Sequence, residues 1–225
     1  MKKKYIGIII LSIFLIILYF ILKYSGLIKE RYYTSQYFNI EVVKSDIDYN
    51  NNGIDDYTDI VNGAIIEGKK KPKYHSAYYD LGYPPEGEGV CTDLIWRALN
   101  HAGYNLKELV DEDIQNNLEE YTKIKVPDKN IDFRRVYNLN VFFKRNTISL
   151  TTNIQEVEEF QPGDILVFEG EKHIGIVSNK RNKNKIPYLI HHTGTFQNQN
   201  NSLEEDVLEH YEIIGHYRFK LKTSN

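Results

Sequence analysis

Gly87-Glu88-Gly89-Val90-Cys91-Thr92-Asp93 runs into Leu94-Ile95-Trp96-Arg97-Ala98-Leu99, and Cys91 is the one cysteine in 225 residues. Leu94, Ile95, Ala98, Leu99 and Ala102 recur at i, i+1, i+4, i+5 and i+8, which predicts an amphipathic helix ending at Gly103. Cys91 then stands where a glycine-punctuated loop becomes that helix. There the macrodipole and unpaired backbone N–H groups favour a thiolate and can hold an oxyanion. A buried, inert thiol satisfies the same position, because free cysteine packs as a small apolar residue. Asp93 suits the helix dipole but would oppose a thiolate, so its carboxylate is expected to face away from the sulfur. A lone cysteine excludes an intramolecular disulfide, which leaves the thiol either structural or chemical.

Downstream, Phe160-Gln161-Pro162-Gly163-Asp164-Ile165-Leu166-Val167-Phe168 reads as a turn and a strand. After a second turn at 169–172, His173-Ile174-Gly175-Ile176-Val177-Ser178 reads as the other strand of a hairpin. Alternation places His173, Gly175 and Val177 on one face and Ile174 and Ile176 on the other. Gly175 beside His173 is expected to leave room over the ring for a helix or a substrate. In Tyr188-Leu189-Ile190-His191-His192-Thr193-Gly194 the adjacent histidines must face opposite ways, so at most one shares a site with His173. Zinc held by Cys91 and these histidines has no supporting HxH or HExxH spacing.

Upstream, the tyrosines of 74–83 either line a groove beside Cys91 or pack on the surface, and Lys69-Lys70-Lys71-Pro72-Lys73 is a solvated basic loop. A helix is expected over Leu106–Tyr121. Arg134 and Arg135, set among apolar residues, either pair with acids of the fold or bind a substrate carboxylate.

Asp48-Tyr49-Asn50-Asn51-Asn52-Gly53-Ile54-Asp55-Asp56-Tyr57-Thr58-Asp59 has the spacing of an EF-hand-type loop. Its candidate ligands are Asp48, Asn50, Asn52, the Ile54 carbonyl, Asp56 and Asp59, with Gly53 at the sharp turn. Few negative ligands suit weak, structural Ca2+ binding; the simpler reading is a turn that caps the following helix, which is expected to stop at Gly68.

The chain begins Met1-Lys2-Lys3-Lys4, followed by the uncharged run from Tyr5 to Leu22 and then Lys23. Eighteen helical residues span roughly 27 Å, close to a hydrocarbon core. The run exceeds a usual signal-peptide core and lacks a small-residue cleavage site, so an uncleaved signal anchor over 1–24 is expected. The lysine bias places the N-terminus in the cytoplasm and the body outside. Residues 25–45, polar and rich in tyrosine, read as a stalk; 46–68 hold the calcium loop and its helix, and 69–220 the main domain. Residues 1–29 carry five lysines and no acid; taking these from the formal net charge of -3 leaves a body at -8, which argues against nucleic acid as a partner.

Three stretches resemble NlpC-type papain-like peptidases: Gly89-Val90-Cys91-Thr92-Asp93-Leu94, Pro162-Gly163-Asp164-Ile165 leading to His173-Ile174-Gly175-Ile176-Val177, and Leu189-Ile190-His191. From about Asp48 to Tyr217 the chain more closely resembles a bacterial family catalogued as domain of unknown function 1287. The signatures are Gly-Val-Cys-Thr-Asp at 89–93, Asn-Ile-Asp-Phe-Arg-Arg-Val at 130–136, His-Ile-Gly-Ile-Val-Ser at 173–178 and Gly-His-Tyr-Arg at 215–218. The resemblance implies an α+β, papain-like fold, with N-terminal helices on a small antiparallel sheet or barrel. It further implies Cys91 as nucleophile, His173 as base and His191 as the residue orienting it. Val90 and Thr92 stand where NlpC-type enzymes usually have Asp and Ser, which bears on the shape of the groove. An outward-facing, anchored hydrolase meets peptidoglycan, so an amide of its stem peptides is the expected substrate, with no cofactor needed for catalysis. A transpeptidase would use the same residues, and a calcium-stabilised cell-surface binding module without turnover is the reading from a different class.

Overall fold

The computed structural model describes residues 2–24, 32–194 and 202–221. The chain divides into two compact units, Met1–Tyr32 and Tyr33–Asn225. The first holds helix α1 (Lys2–Tyr24), whose stretch Tyr5–Leu22 is long and apolar enough to cross a membrane.

The second unit is a mixed α+β fold. Its strands β1 (Lys73–Tyr74) and β2 (Glu88–Gly89) form a short parallel pair. Six others build one antiparallel sheet: β3 (Ile148–Ser149), β4 (Ile165–Phe168), β5 (Ile174–Arg181), β6 (Pro187–His192), β7 (Ser202–Glu205) and β8 (Ile213–Arg218). Their order is β3-β8-β4-β5-β6-β7, and every neighbouring pair is antiparallel. Among the described residues this is an open sheet, so the barrel half of the expectation is not realised.

Alternation along the strands makes two cores. Ile165, Val167, Ile174, Ile176, Ile190 and Tyr217 face helices α2 (Asp56–Lys70), α3 (Cys91–His101), α4 (Leu106–Asn116) and α5 (Val136–Asn146) in the larger one. Leu166, Phe168, Val177, Leu189 and Ile213 face Phe160, Ile186 and Leu208 in the smaller. Burial on both faces explains why β4 reads as a continuous apolar run.

The helices follow local chemistry. Asp55 caps α2 by accepting from the Thr58 N–H, and Asn105 caps α4 by accepting from the Glu108 N–H. α2 does not stop at Gly68 but continues to Lys70, where Lys71 takes the left-handed cap conformation (φ 51°). The helix expected over 106–121 ends at Asn116 and passes into a short 3-10 turn, Leu118–Glu120. α5 is a helix that the sequence reading lacked.

The stalk also needs correction. Residues 25–31 lie outside the described residues, but the chain from Tyr33 belongs to the body. Tyr33 and Arg181 exchange backbone hydrogen bonds of 2.8 Å in each direction, and Ser35 and Ile40 are buried. Gln161 donates to the Glu41 carbonyl and accepts from the Val43 N–H. Polar composition suggested a tether because these partners lie over a hundred residues away in sequence.

Candidate active site

Cys91 is the first residue of α3 and is buried, against the larger core. Burial is the main influence on its thiol and pushes it up to about 11. Backbone N–H groups of Ile174, Thr92 and Cys91 itself act the other way, each favouring the thiolate. The sulfur therefore lies against the backbone that immediately follows His173.

The Asp93 carboxylate is engaged by the fold, and its charge adds to the upward push on the thiol. The carboxylate accepts from the Val90 N–H (2.7 Å), the Trp96 indole (2.8 Å) and two nitrogens of Arg134 (2.7 and 3.0 Å). Both partners are almost fully buried. Arg134 thus serves the fold, while Arg135 is exposed.

His173 sits just before β5, and His191 lies on β6. Their rings meet with His173 Nε2 2.7 Å from His191 Nδ1. His191 Nε2 is 3.1 Å from a carboxylate oxygen of Glu205 on β7. The register β6–β7 sets Leu189 opposite Glu205 and His191 opposite Leu203, so His191 and Glu205 are diagonal neighbours on one face. The carboxylate can only accept, so His191 donates from Nε2 and presents Nδ1 as acceptor to the His173 Nε2–H. That order of tautomers leaves the lone pair of His173 on Nδ1, available to take a proton. Burial, then the neighbouring His191, lowers His173 to about 4.

The structure thus brings His173 and His191 together and places Cys91 against the next peptide group. Among the described residues no hydrogen bond joins the thiol to either imidazole. His192 faces the opposite way, as alternation requires, into the field of Arg97 and Asp93; burial chiefly lowers it to about 3. Tyr74, at the end of β1, is close enough for the charge of Cys91 to act on it. Burial first, then the charges of Cys91 and Asp93, raise its phenol to about 12. A phenol held protonated is a donor.

A cleft of about 370 Å³ opens beside the imidazole pair, lined by Phe168, Leu189 and Tyr211 among apolar residues and by Glu169 and Glu212 among acids. Gly175 does not open this space. A Cβ there would lie 2.8 Å from the Leu189 side chain, so the missing side chain admits Leu189 of the neighbouring strand instead of a helix or substrate.

Glu205 was missed by the sequence reading, because only the register of β6 and β7 brings it to His191. Other family signatures prove structural. Asp164 accepts from the Gln161 N–H, His216 Nε2 (2.9 Å) and two nitrogens of Arg218 (both 2.8 Å), all deep in the body. Among the described residues no three His, Cys, Asp or Glu side chains converge on one metal position. The loop at 48–59 meets the far end of α3, where Asn50 donates to the His101 carbonyl (3.0 Å).

The model of one protein family, "Domain of unknown function (DUF1287)", matches residues 61–219. The "Uncharacterized protein YijF" of Escherichia coli (strain K12) is 38% identical over 176 residues, covering 72% of this chain and 83% of that protein. No solved structure matches. The chain belongs to the family of domain of unknown function 1287.

Proposed function

We propose that this member of the family of domain of unknown function 1287 is a membrane-anchored cysteine hydrolase with a papain-like, NlpC-type site, cleaving an amide bond in the stem peptides of peptidoglycan. The observation that carries the reading is the relay from Glu205 through His191 to His173, next in sequence to Ile174, whose N–H meets the helix-terminal thiol. An inert buried cysteine gives no reason for two coupled imidazoles, the first of them on the residue preceding the peptide N–H that the sulfur meets. The anchor reading of Tyr5–Leu22, with the body outside, supplies access to the wall. The acids Glu169 and Glu212 at the cleft favour an amine-bearing peptide.

In this mechanism His173 Nδ1 takes the thiol proton as the sulfur attacks the amide carbon. The resulting oxyanion receives the Cys91 N–H at the helix N-terminus and the Tyr74 hydroxyl. Collapse breaks the C–N bond, and the imidazolium returns its proton to the leaving amine. Water, deprotonated by His173, then attacks the thioester and restores the thiol with release of a carboxylate. With an amine in place of water the same steps give transpeptidation.

The resting pair is thiol and neutral imidazole, since burial raises Cys91 to about 11 and lowers His173 to about 4. His173 accepts a proton only when neutral, so kcat/KM falls as pH drops through about 4 and holds through pH 9. An alkaline limb near 8 to 9 would instead reveal a resting ion pair and contradict this state (roughly the free thiol range). The reading as a whole is tested by digesting purified peptidoglycan with the wild-type chain and with Cys91→Ala. The expected result is new peptide ends, identified by mass, from the wild type alone. Identical fragments from both, or none from either, would sink it.

A further inference from the structure

We propose that the loop Asp48–Asp59 binds calcium and thereby locks the start of α2 to the end of α3. Asp59 is 1% exposed and its Oδ1 has no hydrogen-bond partner, while Oδ2 accepts the side-chain amides of Asn50 and Asn52, each at 2.8 Å. That pairing aims the carboxylate into the loop and leaves its other oxygen buried and bare. A buried carboxylate oxygen without a donor is costly, and a cation satisfies it.

The remaining oxygens are already oriented. Asp48 accepts from the N–H groups of Asn52 (3.0 Å) and Gly53 (2.8 Å); Asn50 Oδ1 accepts from the Asn52 N–H (3.0 Å) and Asn52 Oδ1 from the Ile54 N–H (2.8 Å). Each of these oxygens keeps a second lone pair for a metal. Gly53, at φ 88°, makes the sharp turn that the sixth position of such a loop demands. Asp56 leaves the expected ligand set because its carboxylate ties the loop to the body instead, accepting from the buried Tyr104 hydroxyl (2.5 Å) as well as from the Tyr49 N–H (2.9 Å). The ligands are therefore Asp48, Asn50, Asn52, Asp59 and the Ile54 carbonyl. Two carboxylates and neutral oxygens match a hard divalent ion at the weak, extracellular end of the affinity range.

Binding there fixes more than the loop. Asn50 also donates to the His101 carbonyl, and a side chain at Gly103 would collide with Asn50 at 3.0 Å. Cys91 stands at the other end of α3, about 15 Å away by helical rise. The site is independent of the chemistry proposed at that end.

The test uses the full chain in detergent, freed of metal with chelator and titrated with calcium or magnesium chloride. Wild type should bind Ca2+ with Kd of about 0.1–1 mM. Its melting midpoint should rise by about 3–10 °C at 10 mM Ca2+, and by much less with Mg2+. Asp59→Ala should abolish the rise. Terbium luminescence sensitised by Tyr49, and quenched by added Ca2+, reads the wild-type site without any variant. No calcium response in the wild type up to 10 mM, an equal response to magnesium, or a full response retained in folded Asp59→Ala would overturn the proposal.

Discussion

Cys91→Ala will reduce amide hydrolysis by about 10³–10⁶-fold, the range seen when a nucleophile acting within a catalytic unit is removed. The loss comes without general damage to the fold. Alanine keeps the helical start of α3, and its Cβ occupies the space below the lost sulfur, so the stability cost is on the order of 1 kcal/mol. The three N–H groups that face the sulfur stay in place. Comparison of activity with the melting midpoint separates the two roles: a structural thiol would move the midpoint and leave the rate, whereas a nucleophile moves the rate.

Asp164→Asn has the largest expected effect on stability. The carboxylate is buried between His216 and Arg218, and its bidentate acceptance of the Arg218 guanidinium compensates the buried charge. An amide cannot accept from all four donors, and it carries no charge. Removing one partner of such a pair costs about 3–5 kcal/mol, which lowers the melting midpoint by on the order of 10 °C for a body of this size. Denaturant midpoints of the wild type and variant check this; a difference below about 1 kcal/mol would place the pair with exposed salt bridges that contribute little. The same network explains why Asp164, His216 and Arg218 stand in recognisable motifs far from the thiol: they tie β4 to β8.

Much of this was legible from local pattern. The helix at Cys91, the hairpin of β4 and β5, and the opposed directions of His191 and His192 follow from periods of 3.6 and 2. What escaped depended on long-range pairing. Val136, Leu139, Phe142 and Phe143 carry helical spacing into the core as α5, yet the neighbouring Arg134 and Arg135 drew the reading instead, as partners of the fold's acids or of a substrate carboxylate. Glu205 reaches His191 only through the register of two strands, which no local motif encodes. Residues 33–45 look like a tether because Tyr33 and Ser35 find Arg181 across the whole fold. Gly175 was expected to leave room for a helix or a substrate, but Leu189 of the neighbouring strand occupies that space.

The central claim is that Cys91 and His173 act as one unit although no hydrogen bond joins them at rest. A double-mutant cycle of peptidoglycan cleavage tests it most directly, with rates measured for wild type, Cys91→Ala, His173→Ala and the double variant. Residues of one catalytic unit are grossly non-additive. The account predicts that all three variants fall to a common floor, the double variant being no slower than Cys91→Ala alone. A His173→Ala rate equal to wild type, or losses that multiply in the double variant, would contradict it.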